Sequence, residues 1–359
     1  MVAGRTLYSL QYLRAIATFI VVARHAYQII GQFGDGSIGR QFEIGSVGVD
    51  IFFVISGFIM CFISEEKETK ANAFFRRRLV RVAPTYWLIT LIAASLIALI
   101  PSAFRTSALT PDLLLASLLF IAWPHPAMHD STPLYLIGWT LNCEFMFYTL
   151  MSICLAISWS RRMWLATFAL IFLVVAGFIL QPQHPVARFY TNSVLIEFVF
   201  GMLIWRFWHS FSAPKWLAAG VIVLAILAYA YAAQHIPVGR ASWWRFLVWG
   251  LPSAAIVFGA VELEKRGLMP KLNWLRFFGD ASYGIYLVHF LLLGALRLGW
   301  HLAPRTPDIV FLVVALAGSF AAGSVFYVVV EKRLIAGARR LLLPEARSRV
   351  QPVAPAPAP

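Results

Sequence analysis

The chain is a succession of apolar runs of membrane length, each closed by a short polar break. About 18 or more apolar residues suffice for one helical crossing of a bilayer. Lipid offers backbone amides no partner, so only helices and closed barrels cross it. The strand alternation of a barrel is absent, which predicts an all-α polytopic membrane protein. The runs fall near 8–30, 46–64, 83–100, 138–158, 163–180, 194–211, 216–233, 244–262, 281–299 and 309–330, about ten transmembrane helices. LLLASLLFIAW at 113–123 is only about eleven residues long, which predicts a short re-entrant or interfacial segment.

Only 13% of the residues are charged, against about a quarter in a soluble domain. The net charge of +14 raises nucleic acid as a partner, but most Lys and Arg lie in short loops beside the apolar runs. That is the positive-inside pattern, and no nucleic-acid reading motif accompanies it. With both termini cytosolic, the inner segments collect roughly 21 basic residues and the outer loops about five. The inner set includes Lys67, Lys70, Arg76, Arg77, Arg78, Arg81, Lys265, Arg266, Lys271, Arg276 and the stretch from Lys332 to Arg349. Counting 113–123 as a crossing would put Arg161 and Arg162 outside. Residues 1–340 are expected to form the transmembrane domain, and 341–359 a cytosolic, basic and Pro/Ala-rich tail without order. Cys61, Cys143 and Cys154 all fall in apolar runs, as small core residues. The first run carries Arg14, Arg24 and His25, so it is a retained span rather than a cleaved signal.

Arg14 and His25 are eleven residues apart in LRAIATFIVVARHA. That is about three helical turns, so they share one face roughly 16 Å apart along the axis. Ionisable groups within a span are costly and point by default to a functional site facing protein. A permanent cation below a group that titrates near neutrality suits an anion anchor and a proton-transfer residue. In the expected orientation His25 lies in the outer half of its span. Asp50, in GVDIFFVISGF, and Glu144, in WTLNCEFMFY, lie near the outer ends of inward-running spans. Either carboxylate could orient the imidazole of a general base, and Arg24 could serve one of them as counter-ion. Asp50 could equally cap its helix, and Glu144 could pair with an arginine.

On the cytosolic side, FFRRRLVRVAPTYW puts Arg78 and Arg81 three residues apart in a helix-compatible run ending at Pro84. Neighbours at that spacing can grip a phosphate between them. Arg14 extends this basic path toward His25, which suggests a polyphosphorylated cofactor whose reactive end threads into the membrane. Gly57 allows a close helix approach, and Ser56 offers a hydroxyl. In SYGIYLVHF, Tyr286 and His289 are one turn apart; His289 falls in the inner half, far in depth from His25, as a tunnel or structural contact. His125, His129 and Asp130 resemble metal spacing, but Pro124 and Pro126 break any helix there, and no metal is expected.

Five segments, LRAIATFIVVARH, GVDIFFVISGF, RRRLVRVAPTYW, WTLNCEFMFY and DASYGIYLVHF, occur in this order between Leu7 and about Arg333. Together they resemble the acyltransferase-3 family of bacterial integral membrane O-acyltransferases, and within it the exopolysaccharide acetyltransferases of the ExoZ type. The family's arginine and histidine separated by ten residues fall on Arg14 and His25, and its arginine pair on Arg78 and Arg81. Its two acidic positions fall on Asp50 and Glu144. The resemblance implies transfer of an acetyl group from cytosolic acetyl-CoA to a sugar hydroxyl of an exopolysaccharide or its lipid-linked precursor. It implies an inner-membrane enzyme, and polysaccharide-assembly proteins as possible partners. Arg78 and Arg81 would hold the CoA phosphates, with Arg14 guiding the arm. His25 would act as base, oriented by Asp50 or Glu144. Some relatives carry an extracytoplasmic hydrolase-like domain after the last span, which this chain is expected to lack. Alternatives are a succinyl donor, a lipopolysaccharide or Nod-factor acceptor, and a non-enzymatic carrier of lipid-linked glycan.

Overall fold

A computed structural model describes residues 7–33, 43–65, 70–101, 108–128, 130–239, 242–300 and 307–343. Lys67, His129 and the residues from 344 onward, with the Pro/Ala-rich segment, lie outside the described residues. Among the described residues every regular element is helical. The helices are α1 (Tyr8–Phe33), α2 (Val47–Ile63), α3 (Ala71–Leu99), α4 (Pro111–Leu118), α5 (Trp139–Ile157), α6 (Arg162–Leu180) and α7 (Pro185–Tyr190). They continue as α8 (Ile196–Trp208), α9 (Lys215–His235), α10 (Leu251–Lys265), α11 (Asn273–Trp300), α12 (Asp308–Phe326) and α13 (Lys332–Leu342).

Nine helical stretches among the described residues are long and apolar enough to cross a bilayer. The tenth expected span is α2, whose 17 residues cover about 25 Å, less than the roughly 30 Å hydrocarbon core. Protein surrounds α2 along most of its length, so its length is matched to neighbouring helices rather than to lipid. At α8 the match is made by glycine. A Cβ on Gly57 would lie 2.1 Å from the Phe198 carbonyl oxygen, and one on Gly201 2.0 Å from that of Val54. Small residues on facing helices let backbones meet this closely. By contrast α6 and α9 turn Phe168, Phe172, Val223 and Leu224 outward, as lipid-facing helices do. The segment expected to be too short to cross forms α4, with eight residues and about 12 Å of rise.

Three boundaries differ from the hydropathy reading. Helix α3 starts at Ala71, not near 83, and carries Pro84 inside it. Proline removes one backbone hydrogen bond, and helices in a bundle absorb that loss. Helix α11 starts at Asn273, eight residues before the apolar run begins. Helix α12 passes through a π-helical turn (Tyr327–Glu331) directly into α13. In all three cases polar residues extend the helix beyond the apolar stretch, where hydropathy carries no signal.

Side-chain locks hold one end of the bundle together. Glu264 of α10 accepts the Tyr8 amide at 2.7 Å and the Ser9 amide at 2.8 Å, satisfying the first turn of α1. Lys265 donates to the Trp208 and Phe211 carbonyls at the end of α8, at 2.5 and 2.7 Å. Arg162, at the start of α6, donates through Nε to Ser64 Oγ at 2.8 Å, just past the end of α2. The N-terminus of α1 and the C-termini of α2, α8 and α10 therefore share one end with the start of α6, as up-and-down alternation requires. Cys61, Cys143 and Cys154 are buried in α2 and α5 and form no disulfide.

Candidate active site

Helices α1 and α11 pack side by side and run in the same direction, matched at three levels. At the lowest, a Cβ on Gly279 would lie 2.1 Å from the Gln11 carbonyl oxygen, so only glycine permits this approach. One turn higher, Arg14 donates to Ser282 Oγ through Nη2 at 2.9 Å and Nε at 3.2 Å. Three turns above that, His25 Nδ1 lies 2.9 Å from His289 Nε2, the ring planes 15° apart and the centroids 5.1 Å apart. The Phe290 ring meets His25 edge-on at 5.7 Å.

This corrects the depth expected for His289. Counted from Asn273, it lies sixteen residues into α11, as His25 lies seventeen into α1. The early start of α11 brings the two histidines level. His289 is fully buried, and its Nδ1 makes no hydrogen bond of normal geometry.

A second group forms below the histidines. Glu144 of α5 accepts from Ser56 Oγ at 3.1 Å and lies within electrostatic range of both Arg14 and Arg78. Arg81 reaches Glu331 in the π-helical turn, Nη1 to Oε1 at 2.6 Å, and lies over the Tyr283 ring at 5.5 Å. Tyr283 is itself fixed to the Val82 carbonyl at 2.8 Å. Arg14 and Arg78 each feel the charge of Arg81. Three guanidiniums from α1 and α3 thus gather against two carboxylates, Glu144 and Glu331. The Arg78 Nε is buried with no hydrogen-bond partner among the described residues. A surplus of cationic donors in a protein-lined site is chemistry for an anion.

Asp50 stands apart from both groups. It is six residues before Ser56 on α2, about 9 Å along the axis. Arg245 holds its carboxylate in a fork, Nη2–Oδ2 at 2.5 Å and Nε–Oδ1 at 3.0 Å, with both side chains buried. Glu197 of α8 is fully buried within electrostatic range of the pair, and neither of its oxygens has a hydrogen-bond partner among the described residues. Arg245 immediately precedes a second π-helical turn (Phe246–Gly250) leading into α10. Such turns recur at functional sites because they re-aim neighbouring side chains.

Of the six sequence candidates, Arg14, Arg78, Arg81 and Glu144 come together. His25 sits three turns above Arg14 on the same helix, and Asp50 takes Arg245 as its partner. His289, Arg245, Glu197, Ser282 and Glu331 were not among those candidates. Glu197, Arg245 and Glu331 are ionisable groups within or beside apolar runs, and that rule alone could have found them. In the loop between α4 and α5, His125 Nδ1 accepts from the Ala127 amide at 3.1 Å, and burial pushes its imidazole down, opposed by Asp130. No metal-binding group occurs among the described residues.

Fold and site together describe a multi-pass membrane protein with a histidine pair, His289 buried and His25 half-buried, above an arginine cluster. Residues 7–328 match the acyltransferase domain family (acyltransferase-3), and the chain belongs to that family. It is 33% identical over 303 residues to the exopolysaccharide production protein ExoZ of Rhizobium meliloti (strain 1021), covering 83% of this chain and 92% of that one. It is 27% identical to the acyltransferase MdmB of Streptomyces mycarofaciens, covering 98% and 95% of the two chains. Nodulation protein 10 of Rhizobium leguminosarum bv. viciae is 26% identical, over 80% of this chain and 83% of its own. No solved structure gives a significant match.

Proposed function

We propose that this acyltransferase moves an acetyl group from cytosolic acetyl-CoA to a sugar hydroxyl of an exopolysaccharide or its lipid-linked precursor, in the bacterial inner membrane with both termini cytosolic. One observation carries the reading. Arg14, Arg78 and Arg81 converge near one end of α1, and His25 lies three turns along the same face. A donor with a phosphate head and a long arm ending in a thioester fits that layout, head on the arginines and reactive carbon at the histidine. The gathering of Arg76, Arg77, Arg161, Lys265, Lys332 and Arg333 near this end of the helices supports a cytosolic assignment for it. The relative that is an exopolysaccharide production protein supports the acceptor class.

In this reading Arg78 and Arg81 bind the donor phosphates, and Arg14, held by Ser282, receives the arm. Glu144 keeps Arg14 and Arg78 together as their shared counter-charge. His25 takes the proton of the acceptor hydroxyl as it attacks the thioester carbonyl, and returns it to the departing sulfur. Asp50, locked by Arg245, fixes α2 against α8 and α10 around the acceptor side.

The test is the acyl content of secreted polysaccharide in a deletion strain carrying the wild type or His25→Ala at matched membrane levels. Acetyl restored by the wild type alone is the expected result. Equal restoration by both would remove His25 from the mechanism. Succinyl in place of acetyl would change the donor, and no acyl difference at all would favour a glycan carrier.

A further inference from the structure

We infer that His289 is the positioning residue of a neutral histidine dyad, fixing His25 in the tautomer whose Nε2 is bare and turned to substrate. The inference rests on the reading of His25 as general base and supplies the orienting group that reading lacks. Both carboxylates expected to serve are engaged elsewhere, Asp50 with Arg245 and Glu144 with Ser56. Among the described residues, the group hydrogen-bonded to the His25 ring is His289, at 2.9 Å.

Two neutral imidazoles sharing one hydrogen bond have two arrangements, and the far side of His289 decides between them. Its Nδ1 is buried, and the Tyr286 and Ile285 carbonyls of its own helix lie near the ring. It reaches neither with normal hydrogen-bond geometry, but both can only accept. A bare nitrogen there would face oxygen lone pairs, so Nδ1 carries the proton. His289 Nε2 is then the acceptor, and His25 Nδ1–H the donor. The second ring nitrogen of His25, Nε2, keeps its lone pair.

The position is held on every side. The two ring planes lie 15° apart, as an in-plane hydrogen bond between imidazoles requires, and Phe290 and Tyr286 abut the pair at 5.7 and 5.6 Å. Tyr286 is tied to α5 and the turn before it, through Thr140 Oγ1 at 3.0 Å and the Ile137 carbonyl at 2.9 Å.

During transfer the acceptor O–H proton passes to His25 Nε2 while the hydroxyl oxygen bonds to the thioester carbonyl carbon. The C–S bond then breaks, and the thiolate takes the same proton back. His25 Nδ1–H stays on its nitrogen throughout, donating to His289, so the dyad begins and ends neutral. A carboxylate in that place would favour the imidazolium intermediate more strongly. The neutral partner instead orients the base while keeping a second buried charge out of the membrane.

Two measurements test this on the full-length protein in lipid. The first reads the unaltered pair: solid-state 15N spectra of histidine-labelled wild-type protein, with the His25 signals assigned by their loss in His25→Asn. The expected spectrum has a protonated Nδ1 and an unprotonated Nε2 at His25; the reverse would overturn the dyad. The second is acceptor-dependent thiol release from acetyl-CoA, using the de-acylated polysaccharide of the host, across a pH series. His289→Phe keeps the ring's bulk without the acceptor and should lower kcat by about 10²-fold, within the range of general-base effects. Its KM for acetyl-CoA should stay within about twofold, and the acidic limb of its pH profile should move. His289→Gln restores an acceptor and should recover a large part of kcat. Full kcat in His289→Phe alongside a dead His25→Ala would refute the dyad and leave His25 as base. Full kcat in His25→Ala would refute both.

Discussion

Arg245 faces two buried acids at once, and this asymmetry makes a quantitative prediction. Arg245→Met removes two charge-assisted hydrogen bonds, at 2.5 and 3.0 Å, and leaves Asp50 and Glu197 fully buried without a cation. Removing one partner of a buried pair costs about 3–5 kcal/mol, because the other charge stays buried and uncompensated. Asp50→Asn is milder. It keeps an acceptor for Arg245, and Glu197 remains as counter-charge, so the loss is that of one charged hydrogen bond, about 1.5–3 kcal/mol. The double variant Asp50→Asn/Arg245→Met should cost less than the sum of its parts, since the second change then leaves one buried acid, Glu197, without a cation instead of two. The assay is reversible unfolding of purified protein by titration with a denaturing detergent in mixed micelles, followed by tryptophan fluorescence. If Asp50→Asn destabilised the protein as much as Arg245→Met, Arg245 would not be the shared counter-ion and the account of the α2 anchor would fail.

Two further outcomes follow from single contacts. Arg78→Ala should raise the KM for acyl-CoA about 10- to 100-fold with little change in kcat, the loss of one charged hydrogen bond to a phosphate. Initial-rate kinetics at matched enzyme levels check it, and a fall in kcat at constant KM would move Arg78 out of donor binding. Gly279→Val would put a branched side chain where even a Cβ lies 2.1 Å from the Gln11 carbonyl oxygen. It should force α1 and α11 apart, breaking the Arg14–Ser282 and His25–His289 contacts together, and membrane accumulation measured by immunoblot should drop several-fold. Wild-type accumulation and turnover would mean that the helices do not need this approach.

The general form of the protein is legible in its order of residues. Membrane-length apolar runs impose helices because lipid tolerates no open backbone, and basic breaks between them bias one end. The spacing of Arg14 and His25 puts both on one face of α1 whatever surrounds it, because helical geometry is local. The same logic pairs Arg78 with Arg81 and keeps the 113–123 segment from crossing.

Partner choice is not local. His289 pairs with His25 across 264 positions of chain, and Arg245 with Asp50 across 195. Each pairing depends on which helices become neighbours and at what height. The height is set by polar extensions such as residues 273–280 of α11, which continue the helix beyond the apolar run. Hydropathy therefore started α11 too late and left His289 at the wrong depth. Asp50 and Glu144 looked level when counted from apolar edges, yet Arg245 claims one and the arginine cluster the other. The sequence by itself determined a helical membrane bundle with costly charges inside it. Only the tertiary structure decided which charges meet, because a buried charge takes its partner from whichever helix the packing sets beside it.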